Sequence, residues 1–127
     1  MAASILVVED DQSISQALVE LLSLEGYFAV PAFDGYQGIE LAGLQKFNLI
    51  LLDILMPGMG GIEFLNKIKQ ADFYSKTPVI VLTATRFSEK TLSICDIKSC
   101  SIILKPIDAD HLLSEVRSAL EKNNLSC

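Results

Sequence analysis

Five short apolar runs alternate with five segments of helical periodicity, and this alternation narrows the possible folds more than any other property of the chain. The runs are residues 4–9, 27–32, 48–53, 78–82 and 101–104. Between them apolar residues recur at three- and four-residue spacing, the stripe of an amphipathic helix. Ile14, Ala17, Leu18, Leu21 and Leu22 carry the first stripe, and Gly26 follows as its stop. Asp34-Gly35 opens the second, with Ile39, Leu41, Ala42 and Leu44 as its apolar positions. Ile62, Phe64, Leu65 and Ile68 mark the third. Residues 87–97 give a weaker fourth through Phe87, Leu92, Ile94 and Ile97. Asp108 is the expected N-cap of the fifth, which buries Leu112, Leu113, Val116 and Leu120. Residues 121–127 read as a short polar tail that frays.

Strands alternating with helices in this way pair in parallel, and the helices cover both faces of the sheet. The expected fold is a flavodoxin-like (βα)5 sandwich, one domain over residues 1–127, with strand order 2-1-3-4-5. The run 48–53 is almost wholly apolar, as a central strand buried on both faces would be. Pro31 puts the run 27–32 at an edge, where its missing N–H breaks no ladder.

Composition removes several function classes. With 127 residues, 50% hydrophobic and 20% charged, the chain can bury a core and is not a disordered segment. A net charge of -6 argues against direct nucleic-acid binding, which wants a basic face. No apolar run is long enough to span a membrane, and no basic stretch precedes an apolar one near the start. Cys95, Cys100 and Cys127 are odd in number and lack metal-ligand spacing, so a reducing, cytoplasmic setting is expected. His111, the single histidine, reads as a residue at a helix start and not as a ligand.

The chemistry lies at the ends of the strands. Leu49-Ile50-Leu51-Leu52 closes in Asp53, Ile5-Leu6-Val7-Val8 in Glu9-Asp10-Asp11, Val79-Ile80-Val81-Leu82 in Thr83-Ala84, and Ile102-Ile103-Leu104 in Lys105-Pro106. In a parallel sheet these ends share one edge, where open α/β folds bind ligands. Order 2-1-3-4-5 makes the first and third strands neighbours, so Glu9, Asp10 and Asp53 should converge. Each motif has a plainer reading. Asp11 is better explained as a partner for the helix N-terminus, and Thr83 or Lys105 alone would be ordinary. Together they favour a site.

These motifs, with Met56-Pro57 in the following loop, make the chain similar along essentially its whole length to the response-regulator receiver domains of two-component signalling. The resemblance implies that Asp53 accepts a phosphoryl group from a phosphohistidine on a sensor histidine kinase or a histidine phosphotransfer protein. It implies Mg²⁺, with Mn²⁺ as a substitute, held by Asp10, Asp53 and the backbone carbonyl of Leu55, with Glu9 reaching it through a water. Lys105 would pair with one phosphoryl oxygen, and the Thr83 hydroxyl and Ala84 N–H with others. The Lys105-Pro106 bond would be cis. The activity would be limited to self-phosphorylation and slow self-dephosphorylation, with Leu55 and Thr85 flanking the cleft. The output would pass to an effector protein or a covalently linked output domain. The surface of the fourth helix, fifth strand and fifth helix would carry it, and could also form a dimer.

The chain departs from the family pattern at three places. Gly60-Gly61 stands where an acid or asparagine usually precedes the last glycine of the loop. Lys98-Ser99-Cys100-Ser101 replaces a glycine-alanine-acid-acid entry to the fifth strand. Ile102 replaces the usual switch aromatic, so Thr83 and the loop after it are expected to carry the signal, with Ile102 a packing residue. The competing reading is a receiver-fold interaction module that no longer depends on phosphorylation. A haloacid-dehalogenase-like phosphatase would need an acid where Leu55 stands, and a flavodoxin would need a phosphate-cradling loop after the first strand.

Overall fold

The computed structural model describes residues 2–53, 60–83, 100–104 and 106–125. Its elements are β1 (Ser4–Val8), α1 (Gln12–Leu24), β2 (Phe28–Ala32), α2 (Gly35–Leu44), β3 (Leu49–Asp53), α3 (Gly61–Gln70), a 3-10 turn (Asp72–Tyr74), β4 (Val79–Thr83), β5 (Cys100–Leu104) and a C-terminal helix (Ala109–Leu125). The five strands form one parallel sheet of order β2-β1-β3-β4-β5, as expected. The weak fourth helix expected at 87–97 lies outside the described residues. The C-terminal helix continues to Leu125, into the stretch expected as a frayed tail.

Alternation along the strands splits the core in two. Leu6, Val8, Ile50, Leu52, Val79 and Val81 face one way and pack with Ala42 of α2 and Phe64, Leu65 and Ile68 of α3. Ile5, Val7, Leu49, Leu51, Ile80, Leu82 and Ile103 face the other and pack with Leu18 and Leu22 of α1 and Leu112 and Val116 of the C-terminal helix. All five residues of β3 are buried. Its four aliphatic side chains alone contribute roughly 6–12 kcal/mol of gross burial free energy. The strand that carries Asp53 is therefore held more firmly than any side chain on a surface loop.

Helix ends are set by local chemistry. The Asp11 carboxylate accepts from the N–H groups of Ser13 (2.9 Å) and Ile14 (3.1 Å), and the Asp34 carboxylate from Gln37 (2.7 Å). Such caps are worth about 1 kcal/mol each. Asp108 caps the C-terminal helix through the His111 N–H at 3.3 Å, and His111 is exposed in its first turn. Gly26 at φ 90° ends α1, with Tyr27 N–H bonded to the Leu22 carbonyl and Gly26 N–H to that of Ser23. The start of α3, by contrast, has Gly60 as N-cap and no side-chain cap.

Two expectations about helix faces need correction. Ala17 is exposed, and Ser15 takes a buried place on α1. Leu44 is 74% exposed, because the buried face of α2 runs through Gly35, Gly38 and Ala42. Glycine is required at Gly38: a Cβ there would lie 2.7 Å from the Phe64 ring and 3.3 Å from a Val8 methyl. That close approach brings α2 against α3.

β2 is an edge strand, as Pro31 suggested, though it begins at Phe28 and not at residue 27. Its even-numbered residues bond to β1, as Phe28 N–H does to Ala3 and the Ala32 carbonyl does to Glu9. At its outer side the Phe33 N–H is bonded to Gln37 Oε1 at 2.7 Å.

Candidate functional site

The strand register assembles the site. Val8 pairs with Leu52, so one further step sets Glu9 opposite Asp53. Both follow the alternation of Ile5, Val7, Leu49 and Leu51, so their side chains leave the sheet on the α1 side. Glu9 is only 1% exposed and Asp53 only 6%. Asp10 is exposed, one residue further along. One carboxylate oxygen from each of Glu9, Asp10 and Asp53 lies within 4.8 Å of the others.

Glu9 Oε2 accepts from the Asp11 N–H at 3.3 Å, which fixes the turn between β1 and α1. Asp11 turns away to cap α1, so it serves the helix, as its sequence position suggested. Glu9, expected to act through a water, contributes an oxygen to the same triangle as Asp10 and Asp53.

Three carboxylates this close repel one another. A pair of unit charges 4.8 Å apart costs about 3.5 kcal/mol at an effective dielectric of 20. Two of the groups are buried in a fold that could have placed apolar residues there. The donor set is all carboxylate oxygen, which suits a hard divalent cation. The residues present therefore fit a metal ion, and such an ion would relieve the repulsion.

Other expected participants are placed only in part. Thr83 is the last residue of β4, one step beyond the pairing of Asp53 with Leu82. Ile102 pairs with Val81 in β5 and is half-buried against the core on the α2–α3 side. Leu55, Ala84, Thr85, Lys105 and the Lys105-Pro106 bond lie outside the described residues. Motif reading missed Tyr74, whose buried hydroxyl lies 2.9 Å from the Ala42 carbonyl and 3.0 Å from that of Gln45, and accepts from Phe47 N–H at 3.3 Å. This ties the loop entering β3 to the loop entering β4. Burial pushes the Tyr74 hydroxyl pKa above its ordinary value, and the Phe47 N–H opposes that shift more weakly.

An acidic triangle at the carboxyl ends of two neighbouring strands, on this strand order, is the arrangement that the receiver resemblance implied. The model of the response regulator receiver domain matches residues 5–117. The chain belongs to this family. A transcriptional regulatory protein of Streptococcus agalactiae, DltR, is 36% identical over 121 residues, covering 95% of this chain and 53% of that protein. The regulatory protein YkoG of Bacillus subtilis is 35% identical over 119 residues, covering 94% of this chain and 51% of its own. The receiver thus spans about half the length of the curated relatives it matches. A CheY-like receiver domain structure from Methanospirillum hungatei superposes with a TM-score of 0.91 at 26% identity and full coverage of both chains. No helix among the described residues is long and apolar enough to cross a membrane.

Proposed function

We propose that this receiver takes a phosphoryl group onto Asp53 from a phosphohistidine donor, a sensor histidine kinase or a histidine phosphotransfer protein. The observation that carries the reading is the acidic triangle built on β1 and β3. A carboxylate oxygen of Asp53 forms the new P–O bond as the P–N bond to the donor imidazole breaks, and the imidazole leaves with the electron pair. Asp53 is nearly buried at the end of a rigid strand, so its carboxylate is fixed for attack and shielded from bulk water.

Asp10 and Asp53 would hold Mg²⁺, with Glu9 beside them and the Leu55 carbonyl as a further ligand. The bound ion supplies positive charge to the transferring oxygens. Thr83 and Lys105 take the remaining phosphoryl oxygens, with the Ala84 N–H. No other catalysis is expected of the domain, and the setting is cytoplasmic. Output passes to an effector protein or a linked output domain, and Thr83 with the loop after it carries the signal while Ile102 packs.

The test is phosphorylation by acetyl phosphate with Mg²⁺, read by intact mass. One phosphoryl group is expected, absent in Asp53→Asn and in chelator. Wild-type protein that stays unmodified while a known receiver is labelled would instead favour the phosphorylation-independent module. The retained triangle speaks against that alternative, since an interaction module has no use for buried like charges.

A further inference from the structure

We infer that the cavity between α1 and β2 binds a small, uncharged, planar molecule that carries both a hydrogen-bond donor and an acceptor. Its volume is about 380 Å³, and Gln12, Ser15, Gln16, Val19, Pro31 and Phe33 line it. That volume lies within the range of small-molecule sites. The α1 residues fall at positions i, i+3, i+4 and i+7, which form one face of the helix. Pro31 and Phe33 continue the alternation of Ala29, which packs on the α1 side of the sheet. Gln12, Gln16 and Phe33 are exposed, Val19 and Pro31 are half-buried and Ser15 is buried, so the lining runs from solvent to core.

Ser15 is the residue that points to a ligand. It is only 1% exposed, and its hydroxyl has no hydrogen-bond partner among the described residues. An unpaired buried hydroxyl is costly, and a bound molecule that reaches it removes that cost. The other lining residues set the chemistry of such a molecule. None is charged, so the wall would neutralise neither a carboxylate nor an ammonium. A net charge of -6 disfavours an anion further. Gln12 and Gln16 offer amide donors and acceptors, with one Gln16 donor already given to Glu20 Oε1 at 3.1 Å. Val19, Pro31 and Phe33 supply apolar surface, including a ring face against which a flat molecule can lie.

The walls are pre-formed, which keeps the entropy cost of binding low. The Asp11 carboxylate caps α1 at Ser13 and Ile14, and Gln37 Oε1 holds the Phe33 N–H. The cavity is separate from the acidic triangle, since none of Glu9, Asp10 and Asp53 lines it.

The probe is indole-3-carboxamide, titrated into the isotope-labelled protein and followed by amide chemical shifts. A molecule of this size at ordinary efficiency binds in roughly the millimolar range. Saturable shifts should centre on residues 12–19 and 29–33 and stay small at 79–83. Ser15→Ala should weaken binding roughly fivefold, as loss of one hydrogen bond does. Removing an unpaired hydroxyl does not cost fold stability, so that weakening reports the site. Val19→Phe fills the cavity and should abolish the shifts while the spectrum stays that of a folded protein. Indole-3-carboxylate should bind roughly fivefold more weakly than the amide. No saturable shift, shifts centred elsewhere, equal binding of the carboxylate, or unchanged affinity in either variant would each overturn the inference. The test involves no phosphorylation, so its failure leaves the Asp53 reading untouched.

Discussion

Replacing Asp10 with Asn should stabilise the protein when no metal is present. Asp10 has two carboxylate neighbours, Glu9 and Asp53, no farther than 4.8 Å. At that separation each repulsion is about 0.9 kcal/mol in a water-like dielectric and about 3.5 kcal/mol at an effective value of 20. Asp10 is exposed, so the lower figure is the better guide, and two neighbours give about 2 kcal/mol. Against this stands the loss of an anion near the α1 N-terminus, about 0.3–1 kcal/mol. The net gain is about 1–2 kcal/mol, or roughly 4–8 °C in Tm for a domain of this size. Asparagine keeps the shape of the side chain, so packing does not confuse the result. Thermal unfolding by circular dichroism in chelator at low ionic strength measures it directly. Mg²⁺ should then raise the Tm of the wild type more than that of Asp10→Asn. High salt should close most of the gap, since the screening length falls to about 3 Å at 1 M. A variant that melts at or below the wild type in chelator and low salt would refute the repulsion argument.

Further outcomes can be checked by the same unfolding measurements. Tyr74→Phe removes one hydroxyl that bonds three backbone groups, two of them in buried bonds, and should cost about 1–3 kcal/mol. Because the folded-state pKa of Tyr74 is raised, its contribution is intact below the ordinary tyrosine value of about 10 and is lost as pH climbs above it. Tyr74→Phe should flatten that alkaline decline. Gly38→Ala should cost about 1–3 kcal/mol by driving Phe64 from its place, and Phe64→Leu beside it should recover part of the loss. Ser15→Ala should gain about 1 kcal/mol or more, since the Ser15 hydroxyl is buried with no hydrogen-bond partner among the described residues; a loss of stability would show that the hydroxyl is satisfied in solution.

Sheet order, strand positions and the acidic site were legible because the apolar runs are short, bounded and nearly unbroken. Asp53 stood out because a carboxylate closing four apolar residues has no packing role. Helix faces were harder to read. Leu44 looked like core because it is apolar, whereas Gly35, Gly38 and Ala42 mark the true face through smallness, which a hydrophobic stripe does not register. Tyr74 reaches partners 27 to 32 positions away, and no local period encodes such a contact. Lys46 and Phe73 are 27 positions apart and meet only when the turn folds against α2.

The outer rim of β2 has a consequence for how such domains survive crowding. Parallel pairing turns residues 29, 31 and 33 away from β1, so these positions would have to feed any incoming strand. Pro31 has no hydrogen to give, and Gln37 has already taken the one on Phe33. Ala29 alone is left to donate. A neighbouring chain that tried to extend the sheet would find one free donor where a ladder needs several. Strand addition by a neighbouring chain is therefore disfavoured at this margin.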